Sequence, residues 1–208
     1  MATVPEAPLV VGIGGGTASG KTTLARRAAA ALGDDCLWIQ HDRYYFDVPE
    51  PSVHNYDHPA ALDTPRLVAD LDLLRAGQPA ELPVYDFKSH TRGPVGDRVT
   101  PCAVVLVEGI LVLADPALRA RFDLMVWVQA DDDLRLARRL SRDIAERGRS
   151  PDDVLRQYLE TVRPMHRRHV QPSRVHAKLA LDGEGDLETE LARLLDGIAH
   201  HRSRGGRV

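Results

Sequence analysis

The sequence predicts a three-layer α/β domain, a parallel central sheet with helices packed on both faces. Three observations predict it. Apolar runs alternate with helical segments along the 208 residues, the pattern of strand–helix–strand units that close a parallel sheet. The runs are apolar throughout instead of alternating, as expected of strands covered on both sides. A glycine-rich turn joins the first run to the first helix, and α/β sheets place their ligands at that carboxyl edge.

Taken in order, Leu9, Val10, Val11 and Ile13 make the first strand, and Lys21 to Leu32 (KTTLARRAAAAL) is a strong helix former. Leu37 to Ile39, Ala103 to Val107, Leu124 to Val128 and Leu179 to Leu181 supply the other strands. Helix starts are marked by Asp63-Thr64-Pro65 and by Ser150-Pro151-Asp152-Asp153, each a capping residue followed by Pro. Tyr85-Asp86-Phe87 reads as part of a β-hairpin. Residues 9–199 form a single domain, while 1–8 and the tail from about His200 have the composition of frayed ends.

Composition agrees: 43% hydrophobic residues suffice for one sizeable core. A net charge of -3 gives no global pull toward nucleic acid or an anionic membrane, so anion binding must come from local basic clusters. The opening MATVPEAP lacks the charged and apolar regions of a signal peptide, and no apolar run is long enough to span a bilayer. A cytoplasmic chain is expected. Cys36 and Cys102 lie at the starts of two strands without metal-ligand spacing, which predicts buried free thiols.

The chemistry begins at Gly14–Thr23, GGGTASGKTT, where the pattern GxxxxGK[ST] is met from Gly15 through Gly20, Lys21 and Thr22. Backbone N–H groups of Gly15, Gly16, Thr17, Ala18, Ser19, Gly20, Lys21, Thr22 and Thr23 are expected to cradle nucleotide phosphates. Lys21 then reaches the β- and γ-phosphates, Thr22 offers its hydroxyl to Mg²⁺, and the helix start adds its positive dipole end.

Other strand ends must say what receives the phosphate. Glu108 follows a strand and precedes Gly109, which suits a carboxylate serving the Mg²⁺ shell. Asp42, after the second strand, reads equally as a base for a hydroxyl proton or as the cap of a turn. His41 reads as a packed or exposed strand-end residue and not as a ligand. In Asp131–Arg149 (DDDLRLARRLSRDIAERGR), Arg135, Arg138, Arg139 and Arg142 share one helical face, with Leu136, Leu140 and Ile144 on another. That predicts an apolar-backed arginine lid over transferring phosphate, with Gly148 as its hinge or its end.

Together these segments resemble the uridine-cytidine kinase family from the phosphate loop to about Lys178. GGGTASGKTT is similar to that family's P-loop, HDRYY to its catalytic segment, NYDHP (Asn55 to Pro59) and PVYDFKSHTR (Pro83 to Arg92) to its nucleoside-binding segments. EGI is similar to its metal segment and RLARRLSRDIAERGR to its lid. The resemblance implies a P-loop NTPase fold with a nucleoside-binding β-hairpin and an arginine-rich lid over about 131–149. It implies transfer of the γ-phosphoryl group of ATP, or of GTP, to the 5′-hydroxyl of uridine or cytidine.

The resemblance makes Asp42 the base that orients the 5′-hydroxyl, Asp57 the holder of the ribose hydroxyls, and Tyr45, Tyr85 and His90 neighbours of the nucleoside, with Arg139 and Gln157 close by. Arg142 and Arg147 face the ATP phosphates with Lys21. Thr22, Glu108 and Asp42 present oxygens to Mg²⁺. His90 goes with acceptance of uridine as well as cytidine, and the family implies a homo-oligomer, often a tetramer. Tyr44, Tyr56 and Lys88 vary the family's wording, and Ala177-Lys178-Leu179 replaces its Ala-Asp pair before the last strand. Two other readings stay open: a related kinase acting on phosphoribulose or pantothenate, and a nucleotide-binding switch or regulatory module whose arginine helix meets a partner or RNA.

Overall fold

The computed structural model describes residues 7–48 and 54–205. β1 (Leu9–Gly15) turns through a loop into α1 (Lys21–Leu32), and β2 (Cys36–Gln40) follows. α2 (Thr64–Arg75) starts on Asp63, whose side chain accepts from the Arg66 N–H. An arm of short strands comes next: β3 (Ala80–Leu82), β4 (Tyr85–Asp86), β5 (Thr91–Arg92) and β6 (Asp97–Val99). β7 (Val104–Glu108), α3 (Pro116–Arg119), β8 (Leu124–Gln129) and α4 (Asp132–Arg147) return the chain to the main sheet.

α5 (Pro151–Gln157) begins on a Ser150 cap and runs on through π turns at Tyr158–Val162 and His166–Val170. The short α6 (Arg163–Met165) and α7 (Gln171–Ser173) each adjoin those turns, before β9 (Leu179–Asp182) and α8 (Leu187–Gly205).

The central sheet has the order β2-β7-β1-β8-β9, and every pair is parallel. The crossover from β1 to β2 therefore skips the place that β7 later fills, creating the switch point at which such sheets open a crevice. Register aligns the strand ends. Ile13 and Gln40 both stand opposite Glu108, and Gly15 stands opposite Val128. The phosphate loop, the segment after β2 and Glu108 thus leave the sheet side by side.

The uniform apolarity of the strands has its cause in two cores. Val11, Ile13, Leu106 and Val126 pack with Leu24 and Ala28 of α1 and Leu194 of α8. Val10, Ile39, Val105 and Val107 pack on the opposite face with Leu67, Leu71 and Leu74, which recur at helical spacing along α2. Tyr44 is part of that second core, and its hydroxyl donates to Asp70 Oδ2 at 2.8 Å. Burial is the main reason that both groups' pKa values rise.

The hairpin expected at Tyr85 is present as β4–β5, and a second antiparallel pair, β3–β6, extends it. Two expectations need correction. The chain stays helical past His200 to Gly205, because Ile198 and its neighbours hold α8 against the sheet. Cys36 and Cys102 are free but only half-buried. On α4 the arginine side faces inward, as its spacing predicts: Arg135, Arg139 and Asp143 are buried, Leu136 and Leu140 are half-buried, and Ile144 is 40% exposed. The expectations for residues 1–6 and 206–208 lie outside the described residues. Among the described residues no helix is long and apolar enough to cross a membrane.

Candidate active site

The loop Gly16–Gly20 is shaped by close approaches. A Cβ on Gly183 would fall 2.0 Å from the Ser19 carbonyl oxygen, so the turn after β9 packs on the loop only because it carries glycine there. Gly20 has φ +96°, which side-chain-bearing residues rarely adopt, and it hands the chain into α1. Ala18 shares the left-handed region at φ +58°. Ser19 is fully buried, and its hydroxyl has no hydrogen-bond partner among the described residues. Thr22 and Thr23 lie exposed in the first turn of α1.

Around Glu108 the donor set fits a hard divalent cation. The Thr22 hydroxyl lies 3.1 and 3.2 Å from the two carboxylate oxygens, Gln40 Nε2 donates from 3.4 Å, and Lys21 Nζ stands 3.8 Å away. Burial raises the Glu108 pKa, with Lys21 opposing and Asp42 adding to the rise. A buried carboxylate that is only partly neutralised, with the Thr22 hydroxyl bonded to it, offers the kind of oxygen set that suits Mg²⁺.

Asp42 sits in the 3₁₀ turn His41–Tyr44 directly after β2. Its carboxylate has no hydrogen bond among the described residues, so it does not cap the turn. Burial raises its pKa, and Lys21, then Arg147 and Arg142, pull it back. His41 packs inward with Nε2 3.2 Å from the Thr64 hydroxyl, and burial lowers its pKa to about 4.

Helix α4 packs against the loop with its charged face inward. Arg135 Nε donates to the Ala130 carbonyl at 3.2 Å, and its Nη1 reaches the Thr17 carbonyl at 3.4 Å. A Cβ on Gly16 would stand 2.4 Å from Arg135 Nη1. Arg139 donates to the Thr17 hydroxyl at 3.1 Å and to Gln157 Oε1 at 2.9 Å, an oxygen that also accepts from Arg149 at 2.6 Å. Gly148, at φ +62°, caps the C-terminus of α4.

Asp143 organises this cluster and was not singled out from the sequence. It is fully buried, accepts from Arg142 at 2.8 Å, and faces Arg147 at 3.5 Å, Arg139 at 3.6 Å and Arg149 at 3.7 Å. Its i,i+4 spacing from Arg139 and to Arg147 was the available signal. His166, also missed, stands 3.2 Å from Arg135 Nη2, and its pKa is lowered to about 4, first by burial and then by that arginine.

The other half of the cleft is aromatic. Tyr45 meets Tyr56 edge-on at 5.5 Å and Tyr85 at 5.6 Å, and Tyr56 lies 5.3 Å from the His90 ring. The Tyr85 hydroxyl is buried and faces the Tyr56 hydroxyl, without a close hydrogen bond among the described residues. Asp57 is also buried, and its carboxyl is pushed up to about 6 by burial, with Arg139 opposing and Asp42 adding. Arg92 clamps the arm to the segment after β2, donating to the carbonyls of Tyr44 and Tyr45 at 2.8 Å each and pairing with Asp63 at 3.1 Å. Asp42 stands within electrostatic reach of Lys21 and Glu108 on one side and of Asp57 and Tyr45 on the other.

Known proteins share this plan. The model of the phosphoribulokinase/uridine kinase family matches residues 10–189. A uridine kinase of Chloroflexus aggregans is 47% identical over 184 residues, covering 86% of this chain and 88% of that protein. A uridine kinase of Deinococcus deserti is 44% identical over 193 residues, covering 90% and 93%. The solved phosphoribulokinase from Rhodobacter spheroides superposes with a TM-score of 0.60 at 12% identity, over 85% of this chain and 70% of that one, a likeness of fold alone. On these matches and on the P-loop kinase architecture they share, the chain belongs to the phosphoribulokinase/uridine kinase family.

Proposed function

We propose that this chain transfers the γ-phosphoryl group of MgATP to the 5′-hydroxyl of uridine and cytidine, giving UMP or CMP and ADP. One observation carries the reading. A carboxylate without a hydrogen-bond partner, Asp42, stands between a phosphate-binding end and an aromatic end that holds a second buried carboxylate. The identity to proteins named uridine kinase supports the choice of acceptor.

In this reading Asp57 accepts hydrogen bonds from the ribose hydroxyls, while Tyr45, Tyr85 and His90 line the base. The buried Tyr85 hydroxyl, without a close hydrogen bond among the described residues, supports a polar ligand there. Arg139 and Gln157 form the wall between base and lid. Asp42 orients the 5′-hydroxyl and takes its proton as the new O–P bond forms and the bond to the ADP oxygen breaks; positioning and charge neutralisation supply most of the rate. Lys21, Arg142 and Arg147 meet the charge on the transferring group. Thr22, Glu108 and Asp42 would hold Mg²⁺, which would further neutralise the phosphates. Closure of α4 keeps water from accepting the phosphoryl group in place of the nucleoside.

The reading extends to GTP as a second donor and to a cytoplasmic homotetramer, which sedimentation at enzyme concentrations checks. The activity itself is tested by incubating the purified protein with MgATP and, separately, uridine, cytidine, thymidine, adenosine, phosphoribulose and pantothenate. ADP formed in step with UMP and CMP is the expected result. ADP release with phosphoribulose or pantothenate alone moves the acceptor elsewhere in the family, and no acceptor-dependent ADP defeats the reading.

A further inference from the structure

At the outer end of the aromatic wall the Tyr56 hydroxyl lies 2.8 Å from His90 Nδ1. Both partners are held in place. The Tyr56 carbonyl accepts from the Tyr45 hydroxyl at 3.0 Å, and the two rings meet edge-on. His90 occupies the turn of the hairpin at φ +57°; its N–H donates to the Asp86 carbonyl at 2.9 Å, and its own carbonyl accepts from the Val48 N–H at 3.0 Å. Nδ1 is thus committed to Tyr56, and Nε2 has no hydrogen bond among the described residues.

A phenol hydroxyl donates or accepts with equal ease of geometry, so it satisfies His90 Nδ1 whether that nitrogen is bare or protonated. The two cases have opposite consequences at the other side of the ring. With Nδ1 bare, Nε2 carries the hydrogen and donates. With Nδ1 protonated, Nε2 is a bare acceptor. Uridine and cytidine differ in this same sense at C4, where one presents a carbonyl oxygen that accepts and the other an amino group that donates. A phenylalanine at position 56 would keep the ring packing and leave Nδ1 without a partner in either state.

We propose that Tyr56 is a positioning residue for substrate choice: its hydroxyl lets His90 change tautomer, so that one histidine donates to the 4-oxo group of uridine and accepts from the 4-amino group of cytidine. The inference rests on the nucleoside kinase reading above, with His90 facing the 4-position of the base.

The test reads the tautomer directly. Protein labelled with ¹⁵N-histidine is studied by long-range ¹H–¹⁵N correlation at pH 8, where an ordinary histidine is neutral, with saturating uridine or cytidine; His90→Gln assigns the resonance. The proton sits on Nε2 with uridine and on Nδ1 with cytidine. In parallel, Tyr56→Phe lowers kcat/KM about tenfold for both nucleosides, the scale of one lost hydrogen bond. It leaves kcat/KM nearly unchanged for the pyrimidin-2-one riboside, which lacks a 4-substituent. The same tautomer with both nucleosides, or an equal loss with the 4-unsubstituted riboside, overturns the relay while the kinase reading stands. If neither nucleoside shifts a histidine resonance or is phosphorylated, that reading falls and takes the relay with it.

Discussion

The two halves of the cleft are built in different ways. The phosphate half grows from local sequence: Gly15 to Thr23 are contiguous, and β1, β7 and their register deliver Glu108 beside Lys21. The half that the proposed reading gives to the nucleoside is assembled across long gaps, with Tyr45, Tyr56, Asp57, Tyr85 and His90 drawn from the segment after β2, the turn before α2 and the arm. Arg92 ties the arm and the post-β2 segment together through main-chain carbonyls. A backbone cradle is made by glycine and helix geometry, which any member of a large class can carry. An aromatic wall is made by side chains on separate loops, and small changes there redirect the choice of substrate.

Four measurements would break or sharpen that contrast, from the largest effect to the smallest. Lys21→Ala damages both nucleotide binding and turnover, with kcat/KM for ATP falling about 10³-fold, because the charge at the phosphate end is lost. Steady-state kinetics with ATP titration checks it. Asp42→Asn leaves ATP binding largely intact but lowers kcat about 10²-fold, since shape is kept while the proton acceptor, and with it one of the charges offered to Mg²⁺, is removed. Full turnover in that variant would remove Asp42 from the chemistry and leave the two halves joined by nothing but proximity.

Asp143→Asn tests whether the lid belongs to the phosphate half. It removes the charge that Arg139, Arg142, Arg147 and Arg149 share, so kcat/KM for ATP falls about tenfold and thermal stability drops with it. The KM for nucleoside should change little by comparison; equal changes in both constants would show the lid serving the whole cleft.

The smallest effect is a pH dependence confined to the nucleoside half. Asp57, with its carboxyl near 6, is ionised at neutral pH and protonates as the pH falls through that value, so kcat/KM for nucleoside declines below about pH 6. The stability effect has the opposite sign. A raised carboxyl pKa favours the protonated folded state, so Asp57 contributes stability that is full below about pH 4 and lost as pH rises through about 6. In Asp57→Asn the acid limb of the nucleoside profile should move or vanish, and an unchanged profile would assign it to another group.

Much of the phosphate half was legible because its determinants are short-range. The P-loop pattern, the five strand runs and the caps at Asp63 and Ser150 all agree with the fold, since each depends on a few neighbouring residues. Asp42 could not be resolved by spacing, because a cap and a base look alike in one dimension; the structure leaves its carboxylate free of the turn. The inward arginine face of α4 was legible in its helical spacing, but the group that makes it tolerable was not: Asp143 neutralises the arginines and lets the charged face go inside.

By itself the sequence determined the α/β class, the strand order along the chain, the phosphate loop and the segments that would meet it. These follow from periodicity, glycine placement and capping chemistry, all of which act over a turn or two of chain. Only the tertiary structure decided that Asp143 gathers four arginines, that Tyr56 stands against His90, and that Asp57 is buried beside Asp42. Those contacts join residues on different elements, or depend on which side of a helix faces the cleft. Packing of the whole chain sets such geometry, and no local rule specifies it.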